Sequence, residues 1–398
     1  MILILTDDSD PHADYVEQKL RLRQADSIRV DPGEFPSHAE ASLTYSADGK
    51  SQFTFLAGTK RVDLRDVRSV WSRRPTPSIP DNDITDKLQR EYVTEECKIF
   101  LRDVWTATEC FWVPAPDLVL QKAEHKALQL RIAGSLGFEL PPTLFTNNPE
   151  DFLEFYQQHN GRIVSKLVSS SFYKFTGTTF NRYTQVVSKR DIAYARTIRL
   201  CPVIFQAYVP KRVGLRITVV GQKVFAAEIH SQQSNHTRHD WRRYDRYKTP
   251  YFQHDLPGDV ERRCIQLVEK LGLCYGAIDM VLTPDGRYVF LEINPNGQYL
   301  WIEKLTGLAI SDAICDLLIS GGGFNERNNR TNGDRYVGLP DDDRPGRDEA
   351  GDCEVRPAAI AEEALCRGNA TAVGRRNVRQ PHPLRCPAQF AGRRNDIH

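Results

Sequence analysis

An α/β fold is what this sequence predicts: a first α/β unit, a larger two-part α/β body, and a tail without regular structure. Three observations predict it. A strand–helix–strand pattern opens the chain, strand and helix patterns alternate as far as Gly321, and the composition changes abruptly after that glycine. The expected units are residues 1–115, 116–205, 206–321 and 322–398.

"MILILT" has the continuous apolar run of a buried strand. Asp10-Pro11 then offers a helix N-cap followed by proline at the first helical position, so a helix is expected to about Arg23. "DSIRVD" completes a βαβ opening, and "SLTYS", "SQFTFLA" and "KRVDLRDVRSVWSRRP" continue as short strands. "VWSRRP" ends a strand on Arg73 and Arg74, a pair that is ordinarily solvated but has the geometry to grip an anion. "QKAEHKALQLRIAGSLGFELPPTLFTN" reads as one helix with Ala123, Ala127, Leu130 and Ala133 on its apolar face, a C-cap at Gly137, then a strand. "RIVSKLVSSSFYKFTGTTF" is a strand carrying Lys166 followed by a loop rich in Ser, Thr and Gly. "VIFQAYVPKRVGLRITVVGQKVFAAEIHS" is a strand, a short connection and a hairpin turning at Gly221-Gln222. "WIEKLTGLAISDAICDLLISG" closes the body as one amphipathic helix ending at Gly321.

The tail beyond Gly321 holds thirteen Arg and no Lys, with acids interleaved among Gly, Pro and Asn. No 2.0 or 3.6 periodicity appears in it, so it is expected to be disordered and dispensable for folding and catalysis.

The sharpest chemical signal is "YGAIDMVLTPDGRYVFLEINPN", two strands joined by the turn Thr283-Pro284-Asp285-Gly286. Alternation puts Phe290, Glu292 and Asn294 on one face. If Leu282 pairs with Arg287, Asp279 lies opposite Phe290 and one diagonal step from Glu292. Two carboxylates and an amide oxygen then converge, which suits a hard cation such as Mg²⁺. The inference depends on register, because one extra loop residue would turn Asp279 to the other face.

Composition removes several classes. The 53 basic and 52 acidic residues nearly cancel, and the tail is itself close to neutral, so no basic footprint points to nucleic acid. Nine Cys lie without any CxxC pair or metal-ligand spacing, as in a reducing compartment. "MILIL" is too short for a signal peptide or a membrane span. A soluble, cytoplasmic protein is expected.

The order of the elements adds to this. Lys126 near a helix, Lys166 before a Ser-rich loop, "FQAYVPKR", Arg216 in a strand, "DWR" with Arg242, and "LEINPNGQYLWIE" follow one another as in the ATP-grasp ligases, which residues 115–320 resemble. "MILILTDDSDPHADYVEQKL", "VWSRRP", "KALQLRIAGSLGFELPPTLFTNNPEDF", "LRITVVGQKVFAAEIHSQ" and "DWRRY" are similar to the peptide-modifying branch, the graspetide (microviridin-type) synthetases. The resemblance implies a pre-ATP-grasp domain over 1–115, a lysine-bearing subdomain over 116–205 and a metal-bearing subdomain over 206–321. It implies ATP and Mg²⁺ as cofactors, with Lys126 and Lys166 on the phosphates and Ser169, Ser170 and Ser171 in the covering loop. Gln206, Ala207 and Tyr208 would meet the adenine, and Asp279, Glu292 and Asn294 the magnesium. Arg216 and Arg242 are the candidates for the γ-phosphate, the acceptor carboxylate and the acyl-phosphate. Family members often carry an acid in the adenine connection and another near the ribose, where this chain has Gln206-Ala207-Tyr208 and Val213-Gly214-Leu215.

The implied partner is a ribosomally made precursor peptide, leader plus core. An Asp or Glu side chain of that peptide is phosphorylated and then captured by a Ser or Thr hydroxyl or a Lys amine, giving a macrocyclic ester or amide. Two other readings stand beside it: an amino-acid ligase of the ribosomal-protein glutamate ligase kind, and a catalytically silent nucleotide-binding module that docks a peptide. A homodimer is one option that the sequence leaves open.

Overall fold

Asp10 begins the first helix as expected: its carboxylate accepts from the N–H groups of His12 and Ala13, and Pro11 holds the first helical position. The computed structural model describes residues 1–168, 172–175, 178–181, 184–233 and 249–322. Ser169, Ser170, Ser171, Arg242 and the tail from residue 323 lie outside the described residues.

The chain opens with β1 (Ile2–Thr6), α1 (Pro11–Leu22), β2 (Ser27–Val30), β3 (Ala39–Tyr45), β4 (Ser51–Ala57), β5 (Lys60–Asp63), β6 (Ser69–Arg74), α2 (Lys87–Thr106) and β7 (Phe111–Val113). A parallel sheet runs β2-β1-β6-β7, and β3-β4-β5 form an antiparallel one. Every residue of β1 is buried, as a parallel strand covered on both faces requires. On one side Leu3, Leu5 and Val30 pack with Phe53 and Phe55 of β4 and with Leu101 and Val104 of α2. On the other, Ile2 and Ile4 pack against Val16 and Leu20 of α1 and Ile314 and Leu318 near the end of the described chain.

Next come α3 (Asp117–Ala123), α4 (Lys126–Ser135), β8 (Thr143–Thr146), α5 (Pro149–Gln158), β9 (Ile163–Lys166), β10 (Phe172–Phe175), β11 (Thr178–Asn181), β12 (Gln185–Val186), α6 (Lys189–Ile192) and β13 (Val203–Ala207). The single helix expected here is two, because His125 takes an extended conformation and restarts the chain as the N-cap of α4. The break rotates the second helix, so Ala127 is exposed and the polar Gln129 is buried instead. An antiparallel sheet runs β12-β9-β13-β8, with Phe152 of α5 set 4.5 Å from the Phe205 ring of β13. The stretch read as an irregular loop after Lys166 contains the paired strands β10 and β11.

The remaining elements are β14 (Val213–Val220), β15 (Lys223–Ile229), β16 (Tyr251–Gln253), α7 (Gly258–Lys270), β17 (Tyr275–Leu282), β18 (Tyr288–Asn294), α8 (Leu300–Thr306) and α9 (Ile310–Ser320). Gly307, with φ of 76°, divides the expected closing helix into α8 and α9, and Gly321 ends it in the left-handed conformation as expected. The five strands form an antiparallel sheet, β16-β15-β14-β17-β18. One face carries Leu215, Ile217, Ile278, Met280, Phe290 and Ile293 against α7. The other faces α8, α9 and the first parallel sheet through Val220, Ala227 and Tyr275.

The β17–β18 register corrects the expected one. Thr283 lengthens the turn: its N–H donates to the Arg287 carbonyl, and its hydroxyl accepts from the Arg287 N–H, so Leu282 pairs with Tyr288 and not Arg287. That shift alone would set Asp279 against Leu291. A bulge between Asp279 and Met280 passes over Leu291 and returns Asp279 opposite Glu292. Phe290 therefore does not share a face with Glu292; it enters the core beside Met280.

Candidate active site

Three strands place the acids and the arginine side by side. Arg216 on β14 is the cross-strand partner of Asp279 on β17, which is in turn the partner of Glu292 on β18. The Arg216 Nη1 lies 3.0 Å from each Asp279 oxygen, and the pair is nearly sealed, at 4% and 9% exposure. Asn294 Nδ2 donates to Asp279 Oδ2 at 3.2 Å. Glu292 faces Lys126, whose ammonium is 3.3 Å from its carboxylate and also donates to the Leu167 carbonyl at 3.2 Å. Lys126 occupies the first position of α4, so the helix restart at His125 is what aims it.

The structure thus brings Arg216, Asp279 and Asn294 into one hydrogen-bonded set and Lys126 and Glu292 into another, the two meeting where Asp279 and Glu292 are cross-strand partners. Lys166, next to Leu167, ends β9 and donates to Gln206 Oε1 at 2.6 Å, while Gln206 Nε2 donates to Thr143 at 2.9 Å. Gln206 and Ala207 lie within β13. The Ala207 N–H bonds the Pro142 carbonyl and the Tyr208 N–H the Arg162 carbonyl.

Three residues that sequence reasoning passed over support this set. Gln129, only 2% exposed, donates to the Ala123 and Ile293 carbonyls at 2.7 and 2.8 Å and accepts from the Ile293 N–H at 3.1 Å. It binds the outer edge of β18 as a neighbouring strand would, one residue from Glu292. Gln129→Ala should cost about 1–3 kcal/mol, because buried backbone groups lose their partners; the expected readout is a lower urea midpoint with an unchanged slope. Tyr275 donates to the Gly297 carbonyl at 2.6 Å, and burial pushes its hydroxyl up to about 12, so it stays a donor. At Gly297 any Cβ would collide with Ala277 and the Arg216 guanidinium. A polar residue amid apolar neighbours was the available signal for Gln129; none marked Tyr275.

The donor set fits a hard divalent cation. Asp279, Glu292 and Asn294 present only oxygen donors, the ligands that magnesium prefers. Among the described residues there is no cluster of three or more His, Cys, Asp or Glu that could hold a metal ion.

Residues 1–118 match the family model for the MvdD pre-ATP grasp domain. Among solved structures, the macrocyclase MdnC from Microcystis aeruginosa MRC, bound with the precursor peptide MdnA, is 32% identical with a TM-score of 0.71, over 80% of this chain and 99% of that one. The chain belongs to the graspetide (microviridin-type) synthetases. A RiPP-associated ATP-grasp ligase from Chryseobacterium gregarium, in complex with ADP and a leader and core peptide, is 31% identical with a TM-score of 0.74, covering 80% of the synthetase and 96% of its own chain. The macrocyclase MdnB from Microcystis aeruginosa MRC is 32% identical with a TM-score of 0.68, over 80% and 99%. No curated protein sequence matches the synthetase. Its fold is the α/β ATP-grasp fold behind an N-terminal pre-ATP-grasp domain, and it is an ATP-grasp ligase. Among the described residues no helix is long and apolar enough to cross a membrane.

Proposed function

We propose that the synthetase macrocyclises a ribosomally made precursor peptide at the expense of ATP. The observation that carries this reading is the pair of contact sets on neighbouring strands, Lys126 with Glu292 and Asn294 with Asp279 and Arg216, on the scaffold of a peptide macrocyclase.

A carboxylate is a poor electrophile because oxide is a hopeless leaving group. An Asp or Glu oxygen of the peptide takes the γ-phosphoryl group of ATP and ADP leaves. A Ser or Thr hydroxyl, or a Lys amine, of the same peptide then attacks the acyl carbon. The nucleophile's proton passes to solvent, and phosphate departs with the former carboxylate oxygen. Each link costs the peptide one water.

Phosphoryl transfer needs positioning and charge neutralisation more than covalent chemistry. Lys126 and Lys166 are the cations for the phosphate chain, with Ser169, Ser170 and Ser171 over it. Gln206, Ala207 and Tyr208 flank the nucleotide base. Arg216 holds Asp279 in place, and Arg242 is assigned to the acceptor carboxylate. Magnesium held by Asp279, Glu292 and Asn294 would draw charge from the phosphate oxygens when bound. No observation favours a free amino acid as the second substrate.

The test is the mass of a co-expressed candidate precursor. Loss of one water per link, with ADP formed in step, is the expected result. An unchanged peptide that is nonetheless bound, with no ADP released, would leave only a docking module.

A further inference from the structure

We propose that Arg73, delivered by the N-terminal parallel sheet, is a positioning residue for the loop that follows the magnesium-site strand, so that this sheet completes the nucleotide site. The inference rests on the ligase reading above.

Paired arginines at a strand end are expected to be solvated, yet Arg73 is only 2% exposed. The β1–β6 pairing shifts between Leu5 and Thr6, from Leu5 opposite Ser72 to Thr6 opposite Arg74, so Arg73 is the extra residue of a bulge. Bulges commonly re-aim a side chain near an active site. Here the guanidinium reaches residues 223 positions away: Nη1 donates to the Asn296 carbonyl at 3.2 Å. Asn296 answers with its own amide, which donates to the Ser72 carbonyl at 2.9 Å. The two segments are therefore joined reciprocally.

The loop is held at each successive carbonyl. Arg73 takes that of Asn296, Tyr275 that of Gly297, and Arg216 that of Gln298, from strands β6, β17 and β14. Its far end is held as well, since the Leu300 N–H donates to His12 Nε2 at 3.3 Å. His12 Nδ1 faces Asp10 Oδ1 at 3.2 Å, and Asp10 Oδ2 lies 3.4 Å from Arg73 Nε. One buried set, Arg73–Asp10–His12, thus grips both ends of the loop that follows Asn294, at Asn296 and at Leu300. An apolar contact would join the sheets at lower free-energy cost than a buried guanidinium. What the guanidinium adds is direction: it fixes which way carbonyl 296 points, in the loop that continues from Asn294, whose amide lies beside Asp279.

Groups that orient metal ligands typically change metal affinity when removed. Calorimetric titration of ADP into the full chain at stepped Mg²⁺ concentrations reads this directly. Arg73→Gln should weaken the Mg²⁺-dependent part of ADP binding by about 10- to 100-fold, and Arg73→Lys should recover part of the loss. Asn296→Ala, which removes the reciprocal bond and leaves the charge buried with Asp10, should shift the Mg²⁺ dependence in the same direction; it keeps the test decisive if Arg73→Gln does not fold. Variants that melt earlier but bind ADP with the wild-type Mg²⁺ dependence would overturn the positioning role and leave an ordinary contact between sheets. A wild-type chain that binds no ADP at any Mg²⁺ concentration would overturn the ligase reading instead.

Discussion

Arg216→Ala should lower folding stability by about 3–5 kcal/mol and abolish ADP formation. The magnitude follows from burial. Arg216 and Asp279 are 4% and 9% exposed, so truncating the arginine leaves a carboxylate out of water without its cation, and the Asn294 amide beside it is neutral. The same change frees the Gln298 carbonyl, which Arg216 Nη2 holds at 3.1 Å, and loosens the loop after β18. Arg216→Lys keeps a charge but cannot serve Asp279 and Gln298 together from a planar fork, so its loss should be intermediate. Chemical denaturation measures the first effect and single-turnover ADP formation the second. An alanine variant within about 1 kcal/mol of wild type, well under the range for a broken buried pair, would show that the cross-strand pair holds nothing up.

Glu292→Ala and Asn294→Ala should do the reverse, stopping turnover while leaving the fold nearly untouched. Removing one charge-stabilising group at a reacting centre typically costs ~3–4 kcal/mol of barrier, on the order of 10²–10³ in rate. Glu292 pairs with Lys126 where both side chains are about a quarter exposed, at 22% and 25%, so that pair is screened by solvent. Its loss should cost at most about 1 kcal/mol of stability. Turnover measured at saturating ATP and magnesium decides the matter, and a near-normal rate in either variant would remove that residue from the site.

Much of the site was legible because strand alternation is a local property. Glu292 and Asn294 could be placed on one face from "VFLEINPN" alone, and Asp10-Pro11 announced a helix start that the structure repeats. What remained hidden depends on non-local geometry. Arg216 meets Asp279 only because β14 and β17 are neighbours in the sheet, although 63 residues separate them. The convergence of Asp279 with Glu292 was expected from a register the molecule does not use; a longer turn and a bulge reach the same result by another route. The helix break at His125 has no strong breaker in its sequence, so the one signal for a buried Gln129, its apolar neighbours, reads as belonging to a single unbroken helix. Arg73 reads as ordinarily solvated, or else as a grip for an anion, because nothing nearby in sequence covers it; the loop that does so lies beyond residue 294.

The passed-over Leu291 has a further consequence. With the bulge, Met280 faces Phe290 and Asp279 faces Glu292, which is the pairing an uninterrupted ladder would have if Leu291 were simply absent. The residue is therefore surplus to the ladder: no partner depends on it to stay in step. What a spare residue on one strand does is lengthen one rail of the hairpin relative to the other, and a strip with unequal rails must curl. Leu291 sets the pitch of that curl at the point where β18 passes Lys126 and Gln129. That curvature is its contribution to the site.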